Sequence, residues 1–178
     1  MKLPLHQFKQ LVRDSVLVSL DLLIVNDKNE VLVGLRKNTP AKGWLFVPGG
    51  RVYKGEAMQD ALQRISTNET GIDLSQEDAT LYGIYDHIYP ENAFGEPDIS
   101  THYVVIACLF RLRSFMPGPR DDQHEELRML SIPELLAHPR VHVYARNYFV
   151  ADPPNLFLRM DDSLSRCAPF SQEQVGAG

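Results

Sequence analysis

The strongest candidate for chemistry in this sequence is Glu69, which lies near the end of a predicted helix over residues 56–70. The apolar residues of that helix follow the spacing of one helical face, and they are Met58, Ala61, Leu62 and Ile65. Glu69 falls at the centre of the same face, so its carboxylate is expected to point to the core. Burying a lone charge is costly. Glu69 is therefore either solvated at the last turn or a ligand of a hard cation such as Mg²⁺.

A short basic region precedes this helix. Between residues 36 and 54 the sequence contains no Asp or Glu, although the chain of 178 residues has a formal net charge of -5. The basic residues there are Arg36, Lys37, Lys42, Arg51 and Lys54. Such a local excess of positive charge suits an anionic substrate, while a solvated basic surface is the ordinary alternative. Arg36, at the end of a predicted strand, has the planar guanidinium that binds phosphate oxygens.

The segment from Pro48 to Ile72 resembles the signature box of the Nudix hydrolases. The residues in register with that box are Gly50, Glu56, Arg64, Glu69, Gly71 and Ile72. Two glutamates of the ordinary box are replaced, because Ile65 and Asn68 stand at their positions. These two positions and Glu69 share one face of a helix, so a cluster of three acids is reduced to one. The resemblance therefore implies fewer metal ions than usual, and it implies that Arg64 pairs with Glu56.

A depleted box of this kind is similar to that of the GDP-mannose mannosyl hydrolases, a branch of the family. The similarity covers about residues 5–150, with matching segments at 17–23, 44–52, 100–105 and 121–126. It implies a Nudix fold of the α+β class, an α/β/α sandwich in which a mixed, curved β-sheet is flanked by helices. It also implies one Mg²⁺ ion per site, with Mn²⁺ as a substitute, a nucleotide-sugar substrate and a homodimer.

The same resemblance implies roles for individual residues. It assigns metal binding to Glu69, Gln123 and the carbonyl group of Gly49. It assigns catalysis and substrate binding to Asp21, Arg36, Arg51, His87, Tyr103 and His124, with the diphosphate at the two arginines and His124 as the general base. Without the resemblance, Asp21 is equally consistent with structural hydrogen bonding. The residues alone favour a structural hydrogen-bonding role for His87 and a solvated loop position for His124.

The elements that must position these residues follow from periodicity and turn signals. The predicted helices cover residues 4–14, 56–70 and 131–138, and the predicted strands cover 17–25, 31–36, 81–89, 102–112 and 126–130. Loops are predicted at 90–101, which is long enough for a substrate lid, and at 116–126. Residues 141–150 form a helix or a strand. The expected organisation is one catalytic domain over residues 1–150 and a tail over 151–178, part of which could dock as a short element.

Composition limits the classes of function and the compartment. An acidic chain with a pI near 5.6 is a poor candidate for nucleic-acid binding. No apolar run reaches the roughly 20 residues of a membrane span, and the sequence has no signal-peptide pattern. The two cysteines, Cys108 and Cys167, lack metal-type spacing and are expected to be free thiols. These features predict a cytoplasmic protein that does not act on membranes.

The expected reaction is Mg²⁺-dependent hydrolysis of a GDP-sugar, GDP-mannose or GDP-glucose, to GDP and the free sugar. Water would attack the anomeric carbon with inversion, because the box lacks two acids that would assist attack at phosphorus. Three alternatives remain open at this stage. The chain could be an ordinary Nudix pyrophosphatase that cleaves a P–O bond, a non-catalytic nucleotide-binding module, or a structural partner protein that uses helix 4–14 as its interface.

Overall fold

The computed structural model describes residues 3–74, 79–113 and 124–164, and at residues 124 and 125 it describes the backbone. The helices are α1 (Leu5–Asp14), α2 (Met58–Thr70), α3 (Ile132–Ala137) and α4 (Val143–Asn147). The strands are β1 (Leu17–Val25), β2 (Glu30–Arg36), β3 (Leu45–Phe46), β4 (Gly49–Arg51), β5 (Thr80–Tyr89), β6 (Thr101–Arg111), β7 (His124–Ser131) and β8 (Leu156–Arg159). No helix in these described ranges is long and apolar enough to cross a membrane.

The described strands form one mixed sheet. Its main path runs β3-β2-β1-β6-β5-β8, while β4 pairs with β1 and β7 pairs with β2. Strands β1 and β6 are parallel over the full length of β1, from Leu17 opposite Tyr103 to Val25 opposite Arg111. The other pairs are antiparallel. Strand β1 is therefore central, with β6 along one edge and β4 and β2 sharing the other.

Helices cover both faces of this sheet. On one face, Ala61, Leu62 and Ile65 of α2 pack with alternate residues of β1 such as Leu22. On the other face, α3 and α4 pack over the opposite side of the same strands, with Tyr148 and Phe149 fully buried. Alternation along β1 explains this division, because successive side chains of a strand point to opposite faces. The predicted α/β/α sandwich is confirmed.

Helix α2 presents Glu69 to the interior as its periodicity predicts, and the Glu69 side chain is 2% exposed. Gly71 ends the helix with a left-handed φ of 72°, the conformation that glycine adopts without steric cost. The predicted start of the helix and the predicted burial of Met58 are wrong. The helix begins at Met58 rather than at residue 56, and its first turn projects into solvent, which leaves Met58 44% exposed.

The C-terminal elements differ from the sequence predictions in two places. Strand β7 begins at His124, so this residue belongs to a strand and not to the predicted loop over 116–126. The ladder with β2 extends that far, because the His124 backbone is in register with Arg36. Residues 141–150 contain α4 together with a single bridge from Val141 to Leu45. After residue 150, β8 adds an antiparallel strand to the outer edge of β5.

Candidate active site

A cavity of about 530 Å³ opens between β1, β4, β5, β6 and the C-terminal half of α2. Seven of the predicted site residues line it, and they are Asp21, Arg36, Gly49, Arg51, Glu69, His87 and Tyr103. These residues come from six elements, β1, β2, β4, α2, β5 and β6. The strand order brings them together, since β1 has β4 on one side and β6 followed by β5 on the other.

Strand β4 holds Glu69 and Asp21 close to the backbone at one end of the cavity. The Gly49 backbone N–H donates a hydrogen bond of 2.9 Å to Oε2 of Glu69. A Cβ atom at Gly49 would lie 2.4 Å from Oδ1 of Asp21 and 2.8 Å from the carbonyl oxygen of Leu20. A side chain cannot be accommodated there, so glycine is required for the close approach of β4 to β1.

Glu69 could contribute one carboxylate ligand to a hard cation. Within residues 3–74, 79–113 and 124–164, no group of three or more His, Cys, Asp or Glu side chains is arranged to hold a metal ion. Glu69 lines the cavity, but Ile65 and Asn68 line it at the helix positions where the ordinary box has acids. Mg²⁺ is commonly bound by one or two carboxylates together with substrate phosphate oxygens. One buried carboxylate beside two arginines is compatible with that kind of incomplete protein site.

Arg51 is held in place by aromatic rings. Its guanidinium carbon lies 3.9 Å from the ring centroid of Phe8 on α1 and 4.8 Å from that of Tyr53. Partial burial lowers the pKa of Arg51 below its ordinary value, because removing water disfavours the charged form. The cation–π contacts with these two rings therefore offset part of the free-energy cost of desolvating the Arg51 guanidinium, which faces the cavity.

Arg64 and Glu56 connect the β4 segment to helix α2, as the resemblance implies. Arg64 donates to both carboxylate oxygens of Glu56, at 2.6 and 2.8 Å, and also to the carbonyl oxygen of Arg51 at 3.0 Å. The hydrogen bonds from Arg64 lower the pKa of Glu56 to about 2. Glu56 also accepts a bond of 2.8 Å from the backbone N–H of Tyr53. The predicted pairing of Arg64 with Glu56 is confirmed.

The loop after β2 fixes Arg36 on another wall of the cavity. Nε of Arg36 donates a hydrogen bond of 2.9 Å to the carbonyl oxygen of Pro40, and the guanidinium carbon lies 5.9 Å from the ring centroid of Phe46. The backbone N–H of Ala41 in this loop donates to Oε1 of Glu91 at 2.7 Å. Arg36 is thus positioned by its own loop, which is in turn bound to the segment after β5.

The predicted lid, the segment between β5 and β6, is held by hydrogen bonds of its own. The buried Asn92 side chain donates to the carbonyl oxygens of Glu96 and Ile99, at 2.7 and 2.8 Å. Its Oδ1 atom accepts from the backbone N–H groups of Phe94 and Glu96. Lys9 of α1 forms an ion pair with Glu96. These contacts give the segment a defined conformation beside the cavity, where Ala93 contributes to the lining.

Asp21 and His87 are buried polar residues of the cavity wall, and burial shifts the pKa of each. Burial raises the pKa of Asp21 to about 6, although the hydrogen bond from Tyr148 and the charge of Arg36 act in the opposite direction. Burial lowers the pKa of His87 to about 3, and the neighbouring His142 adds to that shift. His87 is therefore neutral near neutral pH.

Sequence reasoning missed the aromatic residues that support this wall. The Tyr144 ring stacks on His87 with centroids 4.3 Å apart and an interplanar angle of 6°. The Tyr148 hydroxyl donates to Oδ2 of Asp21 at 2.6 Å. Tyr144 and Tyr148 are four residues apart, the spacing of neighbours on one helical face. That spacing was a usable signal once residues 141–150 are taken as a helix.

Two predicted residues fall at the border of the described chain. The His124 backbone lies opposite that of Arg36, a residue of the cavity wall. Gln123 lies outside the described residues. The roles predicted for these two residues, and for the residues that line the cavity, stay predictions.

Comparison with known proteins agrees with this architecture. Residues 17–151 match the NUDIX domain. One relative is the low-salt glycan biosynthesis protein Agl8 of Haloferax volcanii. The two sequences are 34% identical over 143 residues, which cover 80% of this chain and 88% of the relative. A shorter match, 40% identical over 68 residues and spanning 38% of each chain, is to an ADP-ribose pyrophosphatase of Methanocaldococcus jannaschii.

A solved structure has the same fold. The NUDIX domain of Shewanella oneidensis NrtR, in a complex with ADP ribose, superimposes with a TM-score of 0.60 at 15% identity, covering 76% of this chain and 86% of that one. At this level of identity the similarity concerns the fold alone. The match over residues 17–151 and the extended similarity to the Haloferax protein lead to one conclusion: this chain belongs to the NUDIX hydrolase family.

Proposed function

We propose that this NUDIX hydrolase cleaves a GDP-sugar, GDP-mannose or GDP-glucose, to GDP and the free sugar by attack of water on the anomeric carbon. The observation that carries the proposal is the composition of the cavity. One buried box carboxylate, Glu69, and two arginines, Arg36 and Arg51, line the same space as Asp21 and His87. Such a set offers charge neutralisation for a diphosphate and hydrogen bonding for a polyhydroxylated group.

The depleted box supports cleavage at carbon rather than at phosphorus. Attack at phosphorus requires the water to be activated beside a strongly charged centre, which is the work of additional metal ions and box acids. Ile65 and Asn68 occupy the helix positions that would supply those acids, and both line the cavity. Glu69 is the only carboxylate of α2 that lines the cavity, so this helix offers no second acid there to bind a further ion or to act as a base.

A divalent metal ion belongs to the proposal. Glu69, the carbonyl group of Gly49 and the side chain of Gln123 would hold Mg²⁺ or Mn²⁺. The ion would offset the negative charge that develops on the departing diphosphate.

The chain's own residues complete the proposed reaction. Arg36 and Arg51 stabilise GDP as the leaving group, so the general acid of an ordinary glycosidase is not needed. Asp21, His87 and Tyr103 hold the sugar and the base in one orientation. His124 removes the proton from the attacking water. Attack from the face opposite to the leaving GDP gives inversion at the anomeric centre.

Replacement of His124 tests the proton-transfer step. General-base assistance typically accounts for about 10²–10⁴-fold in rate, so we expect His124→Leu to lower kcat on that scale with little change in KM. The matched control is His102→Leu, because His102 lies on β6 with its side chain 34% exposed and contacts Asp86, away from the cavity lining. An unchanged kcat in His124→Leu would remove this residue from the mechanism.

The choice between carbon and phosphorus is tested by hydrolysis in ¹⁸O-labelled water. Label in the free sugar supports the proposed reaction. Label in a phosphate group would instead favour a nucleotide-sugar pyrophosphatase, the candidate suggested by the partial similarity to the Methanocaldococcus protein. Binding of GDP-sugar without metal-dependent product release would identify a binding module. A homodimer is also part of the proposal, and analytical ultracentrifugation measures it directly.

A further inference from the structure

Asp21 and His87 face one cavity but lie on strands that are not neighbours. Strand β6 separates β1 from β5 in the sheet. The register places His87 opposite Tyr103, and Tyr103 is opposite Leu17, four residues before Asp21 along β1. Strand pairing alone therefore does not hold these two side chains together.

The hydroxyl group of Tyr148 connects Asp21 and His87. It lies 2.6 Å from Oδ2 of Asp21 and 3.3 Å from Nε2 of His87. The Tyr148 side chain is fully buried and is not among the residues that line the cavity. The hydroxyl consequently reaches the two polar groups without contacting the space in which a substrate would bind.

The position of the Tyr148 hydroxyl is set by the surrounding core. The backbone carbonyl oxygen of Tyr148 accepts a bond of 2.6 Å from the Tyr82 hydroxyl. Its ring packs edge-on against Tyr85, with centroids 4.7 Å apart and an interplanar angle of 86°. These contacts hold the fully buried ring in a close-packed interior. Asp21 and His87 are both hydrogen-bonded to this hydroxyl group.

The hydrogen bonds also determine the tautomer of His87. A tyrosine hydroxyl has one proton, and Tyr148 donates it to the Asp21 carboxylate. The contact with His87 can then form only if Nε2 carries a proton and donates it to the hydroxyl oxygen. Burial keeps the ring neutral, with its pKa lowered to about 3, so Nδ1 is left as an acceptor.

We propose that Tyr148 is a positioning residue, whose hydroxyl binds the Asp21 carboxylate and the Nε2-protonated His87 imidazole into one rigid unit that orients the sugar. The orientation of the sugar rests on the proposed function, whereas the hydrogen-bonded unit does not. Tyr148 touches no substrate, and it acts by keeping one carboxylate and one imidazole acceptor in a constant relation.

Kinetics of two hydroxyl deletions test the role in the reaction. Tyr148→Phe removes the bridging hydroxyl and keeps the ring. Tyr85→Phe is the matched control, because the Tyr85 hydroxyl bonds to Arg159 and contacts neither Asp21 nor His87. Loss of one charge-assisted hydrogen bond predicts a fall in kcat of about 10- to 100-fold in Tyr148→Phe with KM within about threefold of wild type. Tyr85→Phe is expected to retain kcat within about twofold, since its hydroxyl lies outside the unit.

Nuclear magnetic resonance tests the unit without any substrate. Long-range ¹H–¹⁵N correlation of the His87 ring at about pH 8 is expected to show the Nε2-protonated neutral tautomer in the wild-type protein and in Tyr85→Phe. In Tyr148→Phe the acceptor is gone, so a mixture of the two tautomers is expected.

Each outcome bears on one proposal. If the wild-type protein hydrolyses no GDP-sugar, the proposed function fails, and the His87 tautomers still decide whether the unit exists. If hydrolysis occurs but Tyr148→Phe matches Tyr85→Phe in both kcat and the His87 spectrum, the inference is overturned. An Nδ1-protonated His87 in the wild-type protein would overturn it regardless of how the variants fold.

Discussion

Replacement of Gly49 by alanine is the most direct test of how the site is built. A Cβ atom at this position would lie 2.4 Å from Oδ1 of Asp21 and 2.8 Å from the carbonyl oxygen of Leu20. The carbonyl belongs to β1, which pairs with β4 through Asp21 and Gly49, so it cannot move without separating the two strands. Overpacking a close-packed interior costs about 1–3 kcal/mol, and the backbone contact places Gly49→Ala near about 3 kcal/mol.

Gly50→Ala is the matched control for this prediction. Its Cβ atom would lie 3.2 Å from Cγ1 of Ile65, a side chain that can adjust, and 3.7 Å from Oε1 of Glu69. Each variant removes one glycine from the unfolded chain, so this entropic contribution cancels in the comparison. We expect Gly50→Ala to change the free energy of unfolding by less than about 1 kcal/mol. The difference between the two variants then reports contacts in the folded state.

Urea denaturation provides the measurement, with the m value as a check on two-state behaviour. The expected result is that Gly49→Ala is at least about 2 kcal/mol less stable than Gly50→Ala. The first variant should also lose activity, since the shift displaces the Gly49 N–H from Glu69 and the Asp21 carboxylate from Tyr148. Equal stability of the two variants, within about 0.5 kcal/mol, would refute the close approach of β4 to β1.

Two further predictions concern the buried histidine and the C-terminal strand. The pKa of His87 is lowered from 6.5 to about 3, so the unfolded protein binds a proton first and stability falls as pH decreases below 6.5. Between about pH 7.5 and 5 this group alone should remove about 2 kcal/mol. His142, whose pKa burial lowers to about 4, adds a loss of the same sign, whereas Asp21, whose pKa burial raises to about 6, acts in the opposite direction. His87→Gln should therefore lose about 2 kcal/mol less stability than wild type over this range, and the exposed His6→Gln should match wild type. If urea denaturation shows that His87→Gln loses as much free energy of unfolding on acidification as wild type, the lowered pKa of His87 is contradicted. Gly83→Ala would place a Cβ atom 2.7 Å from the Leu158 carbonyl oxygen, so we expect β8 to separate from β5. The Met160 amide, which donates to the Tyr82 carbonyl oxygen, should then exchange its hydrogen with solvent faster. The control Phe157→Ser, at a side chain that is 76% exposed, should leave the Met160 amide protected. Unchanged protection in Gly83→Ala would mean that β8 is not held against β5.

Elements with strong periodicity were predictable from the sequence. The alternation along β1 and the helical spacing around Glu69 each identify a buried face, because a helix and a strand repeat at fixed intervals. The burial of Glu69 follows from the same spacing and is confirmed at 2% exposure. Met58 shows the limit of the argument. The apolar stripe indicates which side of the helix faces the sheet. Whether the first residue of the stripe is buried depends on how far the helix extends beyond the sheet.

The convergence of the site could be anticipated from the sequence only through resemblance to a family. Arg36, Arg51 and Glu69 are near one another in the chain, and a basic region next to an inward-facing acid already suggested an anionic substrate. Asp21 and His87 are different, since their shared cavity depends on β6 lying between β1 and β5. No local pattern encodes that order, because it results from which strands pair across long connections.

The amino-acid sequence by itself determined the chemistry that this protein can carry: one acid in place of three on the box helix, a basic region without counter-charges, and a set of strands and helices sufficient for an α/β/α sandwich. The tertiary structure alone decided how those groups act on one another. Tyr148 contacts Asp21 across 127 residues and His87 across 61. Such contacts, and the pKa shifts that burial produces, arise because the folded sheet removes water from groups that are remote in the chain.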